Sequence, residues 1–271
     1  MATLAAHHEE PARDEPAREE AFFASLAIVM ALVIVAGFST QFLAGRSSFA
    51  SPPRVHFHAI AFMGWTAIFV AQSWLATRGP LALHRKLGWI AVAWMAAMIA
   101  AALLVIVAVV RNGTAPFFFQ PQHFLIANPL SMFLFVGLTL AAVRMRHRTD
   151  WHARLHISGM TMIMGPGFGR LLPMPLLVPY AFQAAVAAAV VFPLAGMIRD
   201  VRKYGQVHPA WYVCLACLAA LIALPGLLAP TRLGDGLYRA VTAGSAGAAI
   251  PGMAFAPPPG SGSPRRPPAG T

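Results

Sequence analysis

Seven stretches of predominantly apolar residues divide the chain, at 22–44, 55–77, 87–110, 124–143, 155–172, 176–198 and 211–229. About 20 residues of helix cross the hydrocarbon core of a bilayer, and six of the seven meet that length with ease. The fifth is weaker, because GPGFGR interrupts it and Arg170 stands near its end. A broken or short span of this kind is tolerable only where neighbouring helices cover its backbone. The spacing of Gly165 and Gly169 permits such close helix contact. GPGFG is no phosphate loop, since no strand precedes it and no Lys-Ser/Thr follows. The pattern predicts an all-α fold, a polytopic transmembrane helix bundle of about seven spans.

The flanks differ from this core. Residues 1–20 are charged and carry two prolines, with no basic region leading into an apolar stretch, so they read as a disordered tail rather than a secretory signal. Residues 21–230 hold the bundle, and 231–271, rich in Gly, Ala and Pro, read as a flexible tail. Overall 58% of residues are hydrophobic and 11% charged, against roughly a quarter charged in a soluble domain. A soluble chain of this length could not hide so much apolar surface in one core. The net charge of +11 raises the question of nucleic acid. However, the arginines stand singly or in small groups between apolar runs, with no continuous basic face to follow a phosphate backbone. Lipid phosphates are their expected partners.

Those same cations predict an orientation. The second, fourth and sixth connections hold Arg78, Arg85 and Lys86, then Arg144, Arg146, Arg148 and Arg154, then Arg199, Arg202 and Lys203. The odd connections hold Arg46, Arg54, Arg111 and at most Arg170. Ten against four places the even connections in the cytoplasm. With seven spans the N-terminus is inside and the tail of residues 1–20 cytoplasmic. The expected location is the bacterial inner membrane, with the lipid bilayer as first partner.

Carboxylates are almost absent from the core. After Glu20 only Asp150, Asp200 and Asp235 remain, and all three read as lying outside the apolar runs. Proton-coupled transporters usually keep an ionisable group within the bundle, so the pattern argues against that class. Cys214 and Cys217 form a Cys-x-x-Cys inside the last apolar run. Thiolates are hard to form there, and the small neighbours favour plain helix packing.

Histidine is the remaining candidate chemistry. His56, His58, His84, His123, His152 and His156 each lie close to the start of a predicted helix. His56, His58 and His123 fall at the outer surface and His84, His152 and His156 at the inner one, on alternating helices. Two such layers are what bis-histidine haem ligation needs, one imidazole from each facing helix. Gly88, Gly159 and Ala61, one turn below His84, His156 and His58, either leave room for a flat macrocycle or let helices approach closely. Arg85 and Lys86 could meet haem propionates. His152 and His156, four apart, share a face that also suits zinc, but HARLH lacks the glutamate of a zinc-protease helix. Interfacial His, Trp and Arg also anchor helix ends in headgroups without any cofactor.

Three stretches together resemble a family of bacterial multi-span membrane proteins known only as a domain of unknown function. They are HFHAIAFMGWTAIFVAQSWL (56–75), LHRKLGW (83–89) and WHARL (151–155) followed by the Gly-Pro break and Arg170. The resemblance covers about residues 20–200 and implies a membrane bundle with no established reaction. It favours His152 over His156 as the characteristic histidine. The layered histidines are also similar, by analogy alone, to those of transmembrane dihaem cytochromes b. The expected function is b-type haem electron transfer with a quinone or other redox partner. The alternative is a non-redox accessory subunit or a facilitator of a neutral solute.

Overall fold

The computed structural model describes residues 14–46 and 49–258, and these are helical without strands. The helices are α1 (Asp14–Leu43), α2 (Pro53–Arg78), α3 (Leu81–Arg111), α4 (Pro121–Arg144), α5 (Thr149–Met162), α6 (Gly165–Leu171), α7 (Ala181–Ala188), α8 (Val191–Tyr204), α9 (Pro209–Leu228) and α10 (Arg232–Thr242). Six stretches are long and apolar enough to cross a membrane: Ala21–Leu43, Pro53–Arg78, Leu81–Arg111, Pro121–Arg144, Ala181–Tyr204 and Pro209–Leu228. Their outer faces carry large apolar side chains well inside the helices, among them Leu32, Ile60, Leu104, Phe133 and Leu194. Water would penalise such a surface on all sides, whereas hydrocarbon does not. The chain is a multi-pass helical membrane protein.

The fifth apolar run is a broken helix. Pro166 has no N–H to give the carbonyl of Met162, and its ring excludes that carbonyl from a continuing helix. The chain therefore stops at Met162 and restarts at Gly165, with Gly167 and Phe168 donating to Met164 O. Neighbouring backbone closes over the break. A methyl group at Gly37 of α1 would lie 2.5 Å from the carbonyl oxygen of Gly167, so only glycine allows α1 and α6 this close.

Helices α1 to α5 pack in sequence, and α5–α6 returns to α1 to close a ring. Its interior holds Trp65, Met98, Phe135 and Met160, with Trp65 meeting Phe135 edge-on at 4.9 Å. Outside the ring, α9 lies against α4 and α5, and α7–α8 lie across α5, α6 and α9.

Two expectations for the flanks change. Residues 1–13 and 259–271 lie outside the described residues, but Asp14 to Glu20 extend α1 rather than forming a disordered tail. The segment from 232 is folded rather than flexible. Thr231 caps α10 by accepting from Gly234 N (3.3 Å), and Gly234, Tyr238 and Thr242 line its buried face. The Tyr238 hydroxyl lies 3.1 Å from both Gly247 O and Ile250 O and shares its one proton between them. Arg111 at the end of α3 donates to Val241 O (2.7 Å), and Gln122 at the start of α4 donates to Gly252 O and Ala229 O. Residues 232–254 thus form a strap across the α3–α4 connection. Gly and Ala content disguised it, because this close contact requires small residues: a methyl group on Gly247 would collide with Val110 O.

Candidate functional site

At the end of the bundle away from the strap, the starts of α3 and α5 bring three of the expected histidines together. His84 opens α3 after Pro80 and Leu81, and its Nδ1 donates to Gln72 O near the end of α2 (3.2 Å). His152 opens α5, and its Nδ1 donates to Ala142 O at the end of α4 (2.8 Å). A carbonyl oxygen only accepts, so each neutral ring carries its proton on Nδ1 and keeps a lone pair on Nε2. The His84 and His152 ring centres are 6.3 Å apart. His156, one turn deeper, meets His152 at 4.6 Å and makes no hydrogen bond among the described residues. Arg85 and Lys86 are exposed at the mouth of this cluster.

The spaces below the histidines are not vacant slots. A methyl group at Gly88 would stand 3.1 Å from Gln72 Nε2, and one at Gly159 would stand 2.8 Å from Thr139 Oγ1. Ala61 is buried, and its carbonyl accepts from Trp94 Nε1 (2.7 Å). These small residues serve helix contact, which corrects the expectation of room for a macrocycle at those positions. The side chains that fill them have polar atoms to spare: Gln72 Oε1 and Thr139 Oγ1 are buried without a partner, as is Trp65 Nε1.

The opposite layer is not assembled in the same way. His58 stacks on Phe62 with ring centres 4.3 Å apart, and His123 meets Phe182 edge-on at 5.0 Å. His58 Nδ1 and His123 Nε2 are both buried without partners. No ring contact joins the two among the described residues. Among the described residues no group of three or more His, Cys, Asp or Glu side chains is arranged to hold a metal ion, in this layer or at His84, His152 and His156.

A second polar centre escaped the sequence. Asp200 is 1% exposed within α8, inside the membrane-length stretch Ala181–Tyr204 rather than outside it. Arg154 Nε and Nη2 donate to its two oxygens at 2.9 and 2.6 Å, and Trp211 Nε1 donates at 2.7 Å. Arg154, which counts in sequence as an orienting loop charge, is itself 1% exposed. His208, in the connection between α8 and α9, accepts from Ala210 N at Nδ1 (3.2 Å) and therefore donates from Nε2 to Asp150 (3.1 Å). On a helix Arg154 lies about 200° around from His152, so its ion pair fixes the far side of α5 and aims the histidine face at α3 and α4. Asp200 at the end of one apolar run, with Trp211 opening the next, was the available signal. Both cysteines are free thiols, and Cys214 lies buried against Ser158 and Thr161 of α5.

Compared with known proteins, the chain has no matching family model, no similar curated protein and no similar solved structure.

Proposed function

We propose that the chain is a seven-span inner-membrane protein, N-terminus inside, that holds a b-type haem between His84 and His152 and carries electrons to or from a quinone or protein partner. The observation that carries the haem assignment is the pair of uncommitted Nε2 atoms on rings 6.3 Å apart. One iron with imidazole bonds of roughly 2 Å reaches two rings at about that separation. The carbonyls of Gln72 and Ala142 hold each ring in its ligating tautomer, as partners of metal-bound histidines commonly do. Arg85 and Lys86 stand where propionates would meet the surface. The iron, when bound, supplies one-electron chemistry. His156 lies beside the ligand pair and is not one of them. The filled spaces at Gly88 and Gly159 favour the competing reading, a non-redox accessory subunit or facilitator of a neutral solute. Protein from a haem-replete host should show a Soret band and sharpened α and β bands on dithionite reduction; a featureless visible spectrum would sink the haem proposal.

Seven crossings are supported by where α5 and α6 touch α1. Arg154 lies 5.3 Å from the Phe23 ring centre, and Arg170 lies 3.9 Å from that of Phe38. Between these contacts α1 rises about 22 Å, most of a hydrocarbon core. Reporter fusions after residues 80, 147 and 203 should therefore report cytoplasm, and those after 50 and 115 periplasm. A reporter that places 203 alone on the periplasmic side would show that the broken helix turns back.

A further inference from the structure

The end of the bundle nearest Phe38 contains a cation that nothing in the haem proposal uses. Arg170 closes α6, and its guanidinium lies over the Phe38 ring, 3.9 Å from the ring centre. Its Nη1 donates to Pro166 O (2.8 Å), and its own carbonyl accepts from Gln41 Nε2 (3.3 Å), which fixes the last turn of α6 to α1. Among the described residues no carboxylate lies within ion-pairing distance of it. The acids Asp150 and Asp200 sit at the other end with Arg154 and His208, and Asp235 is paired with Arg239 on α10 at 2.6 Å.

Depth makes this notable. Phe38 is five residues short of Leu43, where α1 ends, so the charge sits about 8 Å below that helix end. An ionised group held inside a membrane bundle without a counter-charge is costly and marks a site more often than a packing accident. A guanidinium has five N–H donors. One is spent on Pro166, the ring face is shielded by Phe38, and the others remain for a planar or tetrahedral oxyanion.

We propose that Arg170 is the anchor of an oxyanion site, binding one phosphate or carboxylate group at this end of the bundle. The group belongs to a lipid headgroup or to a free anion, and the chemistry recognised is the same. The site is at the opposite end from His84 and His152, so haem-free protein tests it equally well.

The test is thermal unfolding of the full chain in neutral detergent, followed by circular dichroism, with added phosphatidylglycerol, inorganic phosphate or phosphatidylcholine. A ligand that binds only the folded state raises the melting temperature in proportion to its occupancy. Phosphatidylglycerol should raise it by several degrees and phosphatidylcholine should not. A matching rise with inorganic phosphate identifies a free oxyanion as sufficient; a rise with phosphatidylglycerol alone identifies the lipid. Arg170→Gln should weaken the response at least tenfold. Arg170→Lys, which keeps the charge and loses the fork, should weaken it severalfold and covers the case in which the glutamine variant fails to fold. Equal responses in wild type and the lysine variant, or no response to either anion, would overturn the proposal.

Discussion

Asp200→Ala should be the most damaging single substitution in the bundle, lowering stability by roughly 3–5 kcal/mol, the usual cost of breaking a buried ion pair. Arg154 would then keep its guanidinium at 1% exposure with the bidentate acceptor gone, and Trp211 Nε1 would lose its acceptor too. Arg154→Leu should cost less, because the carboxylate keeps Trp211 Nε1 (2.7 Å), His208 N (3.4 Å) and Arg199 at 3.7 Å. Replacing both, as Arg154→Met with Asp200→Leu, should recover most of the loss, since an apolar pair of similar volume often matches a buried ion pair. Denaturant titration of the four proteins in one detergent checks this as a double-mutant cycle. Near-additive single losses would show that the pair does not act as a unit. Because the pair holds the far side of α5, the single variants should also disturb the His152–Ala142 hydrogen bond, while the double variant should restore it.

His84→Ala should abolish any low-spin b-type spectrum, since one remaining imidazole cannot keep an iron six-coordinate. His152→Ala should do the same. His156→Ala should be nearly silent, although His156 lies one turn deeper, because only His84 and His152 have Nδ1 fixed by a carbonyl and Nε2 left over. Optical spectra of reduced and oxidised protein, with folding checked by circular dichroism, decide the matter. Loss of the spectrum in His156→Ala with retention in His152→Ala would move the ligand one turn inward.

Much of this bundle could be read from the apolar pattern, and where it could not the causes are specific. Pro53, Pro121 and Pro209 announce helix starts because a first-turn proline forgoes no hydrogen bond. GPGFGR announces the break, since Pro166 cannot continue a helix through Met162. The meeting of His84 with His152 was also legible, because both open helices at the same end. What the sequence hides is lateral: which side of α5 faces inward depends on Arg154 and Asp200, 46 residues apart. Charge counting treats both as solvated. The strap was missed for a related reason. Gly234, Gly247 and Gly252 resemble linker composition, but each sits where a methyl group would strike backbone or a buried side chain.

The strap also sets an order of assembly. Arg111 and Gln122 emerge from the ribosome long before Val241, Ala229 and Gly252, whose carbonyls they bond. Until those later residues are made and moved to the same side of the membrane as the α3–α4 connection, its backbone has only water or lipid headgroups to pair with. The α3–α4 connection therefore stays unfinished until residues 229–252 have been made and brought to it. A stalled or clipped chain ending soon after α9 would be inserted yet unsealed, and the exposed connection at 112–120 would be the place for a quality-control protease to cut.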